Sequence, residues 1–115
     1  MLFRSLDYAA AIEFIHTYSL IHDDLPALDN DEYKRGKKTN HKVFGDDMAI
    51  LAGDGLQALA YEVMLSCIEE SAKRSEKTSK KIRAANEIAK AAGTEAMVSG
   101  QVMDINSCKI GRAHV

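Results

Sequence analysis

The chain's only proline, Pro26, stands directly after an apolar series with helical spacing, and together they limit how the start of the molecule can fold. Phe14, Tyr18, Ile21 and Leu25 recur at i, i+4, i+7 and i+11, one buried seam of a helix over residues 7–25. Pro26 has no backbone N–H with which to continue it, and its ring disfavours helical geometry at Leu25, so the helix is predicted to end there. Elsewhere on the same helix, His16, Ser19 and Asp23 follow at i, i+3 and i+7 and share a second face. The helix therefore delivers Asp23 and Asp24 to its own C-terminal end.

Residues 26–45 are polar, with Asn30, Gly36, Asn40 and Gly45 as turn formers, and read as a loop of functional length. A second helix is predicted from Asp46 to Glu70. Asp46 and Asp47 suit its positive N-terminal end, and Leu51, Leu59, Val63, Met64 and Ile68 supply its apolar contacts. The basic, Ser-rich stretch 71–81 reads as a solvated connector. A third helical region runs from Lys81 to about Asn106; its Ala85, Ala89, Ala92, Gly93, Ala96 and Gly100 are small enough to let another backbone approach closely. No internal repeat and no alternating strand pattern is present. At 115 residues the expectation is one all-α helix bundle.

Fifteen basic and seventeen acidic residues leave a net charge of -2, which gives no electrostatic reason to expect nucleic acid or an anionic membrane as partner. Hydrophobic residues at 46% and charged residues at 28% exclude a disordered tail or a fibre. Unbroken apolar runs such as Met48–Ala52 are far shorter than the roughly 20 residues of a membrane span, so the chain is expected to be soluble. Cys67 and Cys108 lie far apart without zinc-ligand spacing and read as free thiols of a cytoplasmic protein.

The two ends differ from the middle. The tail Lys109–Val115 is expected to drop the helical pattern, and, back-translated, it matches the start of a common sequencing adapter; Leu2-Phe3-Arg4-Ser5 matches the reverse strand of the same oligonucleotide. Residues 1–5 and 109–115 are accordingly read as adapter scars flanking a domain piece at 6–108, from a longer natural protein.

Five carboxylates, Asp23, Asp24, Asp29, Asp31 and Glu32, fall within ten residues, two of them where the helix dipole is already negative. A divalent cation would reverse that cost, and hard oxygen donors suit Mg²⁺, which is commonly shared between one or two carboxylates and substrate phosphates. Lys34, Arg35, Lys37, Lys38 and His41 follow at once, donors suited to phosphate oxygens. Taken alone, the same residues also read as a solvated acidic loop beside a solvated basic one.

The order of these residues closely resembles the trans-prenyltransferases, the polyprenyl diphosphate synthases that make farnesyl and geranylgeranyl diphosphate. The likeness is carried by His16 to Asp31 with its D-D-x4-D run, by Lys34-Arg35-Gly36 and Thr39-Asn40-His41, by Ile50 to Leu56, and by Gly100-Gln101-x-x-Asp104. It implies a partial antiparallel bundle of the isoprenoid synthase type. It also implies Mg²⁺ at Asp23 and Asp29, with Asp24 supporting, bridging the diphosphate of an allylic substrate. His16, seven residues before Asp23, matches the histidine that holds isopentenyl diphosphate. Lys34 and Arg35 match a basic pair that holds the two diphosphates, although the family's usual first member is arginine, and lysine lacks its bidentate fork. Gln101 and Asp104 match cavity-lining positions. The parent is expected to be a homodimer.

In such enzymes the allylic C–O bond ionises, isopentenyl diphosphate attacks the cation, and a proton is lost; a dry helical interior protects the cation from water. Product length depends partly on the residues four and five before the first aspartate, here Ser19 and Tyr18, and an aromatic at Tyr18 resembles enzymes that stop at farnesyl diphosphate. A packed core tyrosine explains Tyr18 equally well, since an idealised helix turns it about 140° from Asp23. Asp54 reads as structural, and Cys67, Met64 and Met97 as packing residues. An upstream Gly-Lys-x-x-Arg segment, a Lys-Thr pair downstream of Asp104 and a second aspartate-rich run are absent, so this chain alone is expected to be inactive. Alternatives are a geranylgeranyl diphosphate synthase, a terpene cyclase, a non-catalytic regulatory subunit of the same fold, and a di-iron bundle built on Glu13 and His16, which lacks the second Glu-x-x-His it would need.

Overall fold

The computed structural model describes the backbone of residues 2–94 and 96–113, and the side chains of 6–94, 96–98 and 100–106. Cys108 and the expected scars at 1–5 and 109–115 lie at or outside the edge of the described side chains. The architecture is helical. α1 (Leu2–Asp23) is followed by a two-stranded hairpin, β1 (Tyr33–Lys34) and β2 (Lys37–Lys38), and a short α2 (Asn40–Phe44). The long α3 (Asp46–Lys73) is followed by α4 (Ser79–Ala92) and α5 (Met97–Ala113).

α1 and α3 run antiparallel, the end of one beside the start of the other: His22 meets Ile50, and far along the pair Tyr8 donates to the Lys81 carbonyl at 2.7 Å, where α4 begins. The core lies between them, built of Ala11, Ile15 and Tyr18 from α1, Ala60 and Met64 from α3, and Ala92. The predicted α1 seam is thus rotated. Tyr18 stays in it, while Phe14 is only half-buried and packs at its edge. On α3 the buried side is Ala49, Gly53, Ala60, Met64, Cys67 and Ser71. Most of these are small, so the two helices approach closely, and Leu51, expected to supply contact, is 62% exposed instead.

The C-terminal half corrects three expectations. α3 continues past Glu70, and Ser71, expected in a solvated connector, is fully buried and accepts a 2.5 Å hydrogen bond from Lys81 Nζ. The true connector is short, and Ser75 turns it with φ 57°. The third helical region is two helices, not one: α4 ends at Ala92, and Gly93 takes an extended conformation whose N–H bonds the Lys90 carbonyl at 3.1 Å. Gly93 acts as a helix stop here, not as a packing residue within a helix.

The radius of gyration is 17.3 Å, against about 13 Å for a compact domain of about 100 residues. Leu51, Leu65 at 63% and Met103 at 67% exposure show apolar surface on several helices. By length and composition α3 would suffice to cross a membrane. The core helix of a bundle passes the same test, and α1 and α4 pack along α3.

Candidate active site

α1 ends at Asp23, where Pro26 was expected to stop it within two residues. The chain then folds back on the helix end. Asp29 N–H bonds the Asp23 carbonyl at 2.8 Å and Asp31 N–H the Asp24 carbonyl at 3.0 Å. These are two of the carbonyls that a helix terminus leaves without partners. Asp29 is exposed, and its backbone is thus held against the end that carries Asp23.

The three motif aspartates differ in surroundings. Asp23 is half-buried and accepts a short hydrogen bond from Gln101 Nε2, so α5 reaches back to the acidic run. Burial raises its carboxyl above the ordinary value, Asp29 and Asp24 push it the same way, and Lys34 and the Gln101 bond oppose them. Asp24 is buried and accepts from Lys34 Nζ at 2.7 Å. Asp29 has neither arrangement. Among the described residues no three such side chains converge into a ready cage. Mg²⁺ does not require one, because it binds one or two carboxylates and fills its octahedron with water and phosphate oxygens. The fit is one of charge: burial first, and then Asp29 and Asp24, raise the Asp23 carboxyl, and a cation held by Asp23 and Asp29 would offset this.

The basic pair lies in the hairpin. Arg35 and Gly36 are its two-residue loop, with φ 51° and 78°, the positive pair a type I′ turn requires. Lys34, at the end of β1, also lies 4.0 Å from Asp31 Oδ2, and the Asp24 hydrogen bond is the main reason its ammonium titrates above the ordinary lysine range. Arg35 is exposed at the tip.

Thr39 and His41 tie this loop down. Thr39 Oγ1 donates to the Asp31 carbonyl at 2.8 Å, and His41 Nε2 donates to the same oxygen at 2.8 Å. His41 Nδ1 stands 3.3 Å from Asp46 Oδ1, and its side chain is 2% exposed. His41 is therefore a buried strut and not a phosphate donor. Its role was hidden because a histidine next to lysines in a polar loop looks solvated. The hairpin had a signal: an x-Gly pair flanked by Tyr-Lys and Lys-Lys fits a two-residue hairpin loop.

His16 is exposed on α1, and its carbonyl accepts from Ser19 Oγ at 2.7 Å. Tyr18 is buried, with its hydroxyl 3.7 Å from Met97 Sδ and its ring edge-on to His22 at 5.5 Å, so it is a packed core residue. Asp104 is exposed, and Asp54, although mid-helix, is exposed too. Glu13 and His16 both face solvent. Cys67 is a buried free thiol.

A sequence profile of the polyprenyl synthetases matches residues 2–113. The chain belongs to the polyprenyl synthetase family. It is 54% identical over 99 residues to a chloroplastic heterodimeric geranylgeranyl pyrophosphate synthase large subunit of Arabidopsis thaliana, covering 86% of this chain and 26% of that protein. It is also 54% identical over 100 residues to a farnesyl diphosphate synthase of Geobacillus stearothermophilus, covering 87% and 32%. Among solved structures, a geranyltransferase from Legionella pneumophila superposes with TM-score 0.77 at 46% identity, covering 85% of this chain and 33% of that one. The fold is thus that of the helical isoprenoid synthases. The chain spans about a third or less of the curated relatives it matches. Farnesyl and geranylgeranyl synthases stand equally near this chain, so similarity alone does not choose between them.

Proposed function

We propose that this chain is part of a Mg²⁺-dependent trans-prenyltransferase that condenses isopentenyl diphosphate with dimethylallyl or geranyl diphosphate to give farnesyl diphosphate. The observation that carries the reading is the turn after α1. It sets Asp29 against the end of a helix whose last residue, Asp23, bears a carboxylate under net negative pressure, with Lys34 and Arg35 on the adjoining hairpin.

Bound Mg²⁺ would supply positive charge to the allylic diphosphate oxygens. Asp23 and Asp29 would hold it, with Asp24 supporting through Lys34. Arg35 at the hairpin tip is free to fork onto the second diphosphate, and His16 on α1 offers that group a further donor. In the reaction the allylic C–O bond breaks and diphosphate leaves with the electron pair. The C=C bond of isopentenyl diphosphate attacks the resulting cation, and a proton departs from the adjacent carbon. Tyr18, buried five residues before Asp23, is the residue proposed to limit the product to fifteen carbons. Free Cys67 suits a reducing compartment, and the cytoplasm is the proposed location.

In the full-length protein, Asp23→Asn and Asp29→Asn should each lower turnover by on the order of a hundredfold or more, the usual scale for losing one stabiliser of transition-state charge. The 115-residue chain, with its single aspartate-rich run, should show no turnover with both substrates and Mg²⁺. Near-normal turnover by either full-length variant would overturn the proposal.

A further inference from the structure

α3 carries Gly53 and Gly55 two residues apart, and their surroundings are opposite. A Cβ built on Gly55 meets nothing within 4 Å, whereas one built on Gly53 would overlap His22 Nε2 and Cδ2 outright and stand 2.8 Å from Cε1. A glycine inside a helix is a poorer helix former than alanine, and at Gly53 the missing side chain makes the room in which the imidazole lies. There His22 Nε2 sits 3.0 Å from the Ile50 carbonyl. A carbonyl only accepts, so Nε2 carries the proton. Asp54 Oδ1 lies 3.9 Å from the same nitrogen, and the Tyr18 ring meets the imidazole edge-on, 84° between planes. His22 is therefore gripped from α3 on one side and from the core on another.

We infer that His22, seated in the notch left by Gly53, is a positioning residue that fixes the end of α1 so that Asp23 and Asp24 present their carbonyls and carboxylates to the acidic turn. His22 directly precedes Asp23, and its own carbonyl accepts the Leu25 N–H at 3.2 Å, the last bond before the turn. No other side-chain hydrogen bond described for residues 19–22 reaches α3. If the ring left the notch, the helix end on which the turn is built would lose this attachment to α3. The inference rests on the role proposed above for these aspartates.

The test is amide hydrogen exchange on the 115-residue chain, read at Asp29 and Asp31, whose N–H groups bond the Asp23 and Asp24 carbonyls. Gly53→Ala and His22→Ala are each expected to speed exchange there about tenfold while amides within α4 stay near their original rates, the pattern of local opening. Gly55→Ala is expected to change neither. His22→Gln, which keeps a donor at similar reach, is expected to restore most of the protection. The double variant Gly53→Ala with His22→Ala is expected to be no worse than the worse single one, since both act through one contact. Equal effects of Gly53→Ala and Gly55→Ala, acceleration spread evenly into α4, or additive effects in the double variant would overturn the inference. Neither metal nor substrate is needed, so this result stands apart from a failure of the aspartates to bind Mg²⁺ and diphosphate.

Discussion

Lys34 Nζ lies 2.7 Å from Asp24 Oδ1, and the aspartate it meets is buried. A cation from the basic run thus lies within the acidic one, joining the hairpin to the end of α1. The three motif aspartates separate as a consequence: Asp24 anchors the loop, whereas Asp23 accepts from Gln101 Nε2 and Asp29 is exposed.

Removing Lys34 should therefore cost stability before it costs chemistry. Lys34→Met leaves Asp24 buried without its partner, expected to destabilise the chain by about 1–3 kcal/mol. That is less than for a fully buried pair, because Lys34 is 46% exposed and water partly screens it. Urea unfolding of both proteins checks it, and Lys34→Arg, which keeps a charged donor for Asp24, should recover most of the loss.

Asp23 sets a pH dependence of opposite sign to the usual carboxylate. Its folded value is raised, so the folded state holds the proton more tightly. The contribution of Asp23 to stability is then fully present below the ordinary value of 3.8 and is lost as pH rises through the raised one. Without metal, Asp23→Asn should be the more stable protein at about pH 7 by a few degrees in Tm, with the advantage shrinking toward about pH 3. Thermal melts across that range decide it.

The hairpin loop needs its glycine. With φ at 78° in Gly36, Gly36→Val should destabilise the loop by about 1–2 kcal/mol. Arg35→Gly should leave stability equal or higher by relieving φ 51°, while weakening diphosphate binding. Comparing unfolding midpoints with pyrophosphate affinity separates the two effects.

Tyr18 is buried in the core and is the proposed limit on product length. Tyr18→Ala should cost about 3–5 kcal/mol as a large-to-small change in a packed core. In the full-length protein the same change should lengthen the product beyond fifteen carbons. Tyr18→Phe, losing only the hydroxyl near Met97, should keep the product. Chromatography of the prenyl products gives the answer, and an unchanged spectrum in Tyr18→Ala would remove the gate.

Local rules made much of this legible in the sequence. Helical spacing before Pro26 located the end of α1 and hence the acidic run, and the resemblance named the family. What escaped depended on tertiary contact. The α3 seam is made of Ala49, Gly53, Ala60 and Met64, so its contact face carries few of the large residues that hydrophobic periodicity detects. Gly93 has the same composition signal as a packing glycine, and only its extended backbone marks it as a stop. Lys34, His41 and Ser71 looked solvated because a polar residue reveals a buried partner only once the chain has folded.

The most direct measurement is carboxylate NMR of the 115-residue chain during titration with Mg²⁺ and inorganic pyrophosphate. Asp23 and Asp29 are expected to shift together and saturably, with Asp24 moving less, and Asp23→Asn is expected to abolish the response. Saturating pyrophosphate and Mg²⁺ that leave Asp23 and Asp29 unmoved would contradict it.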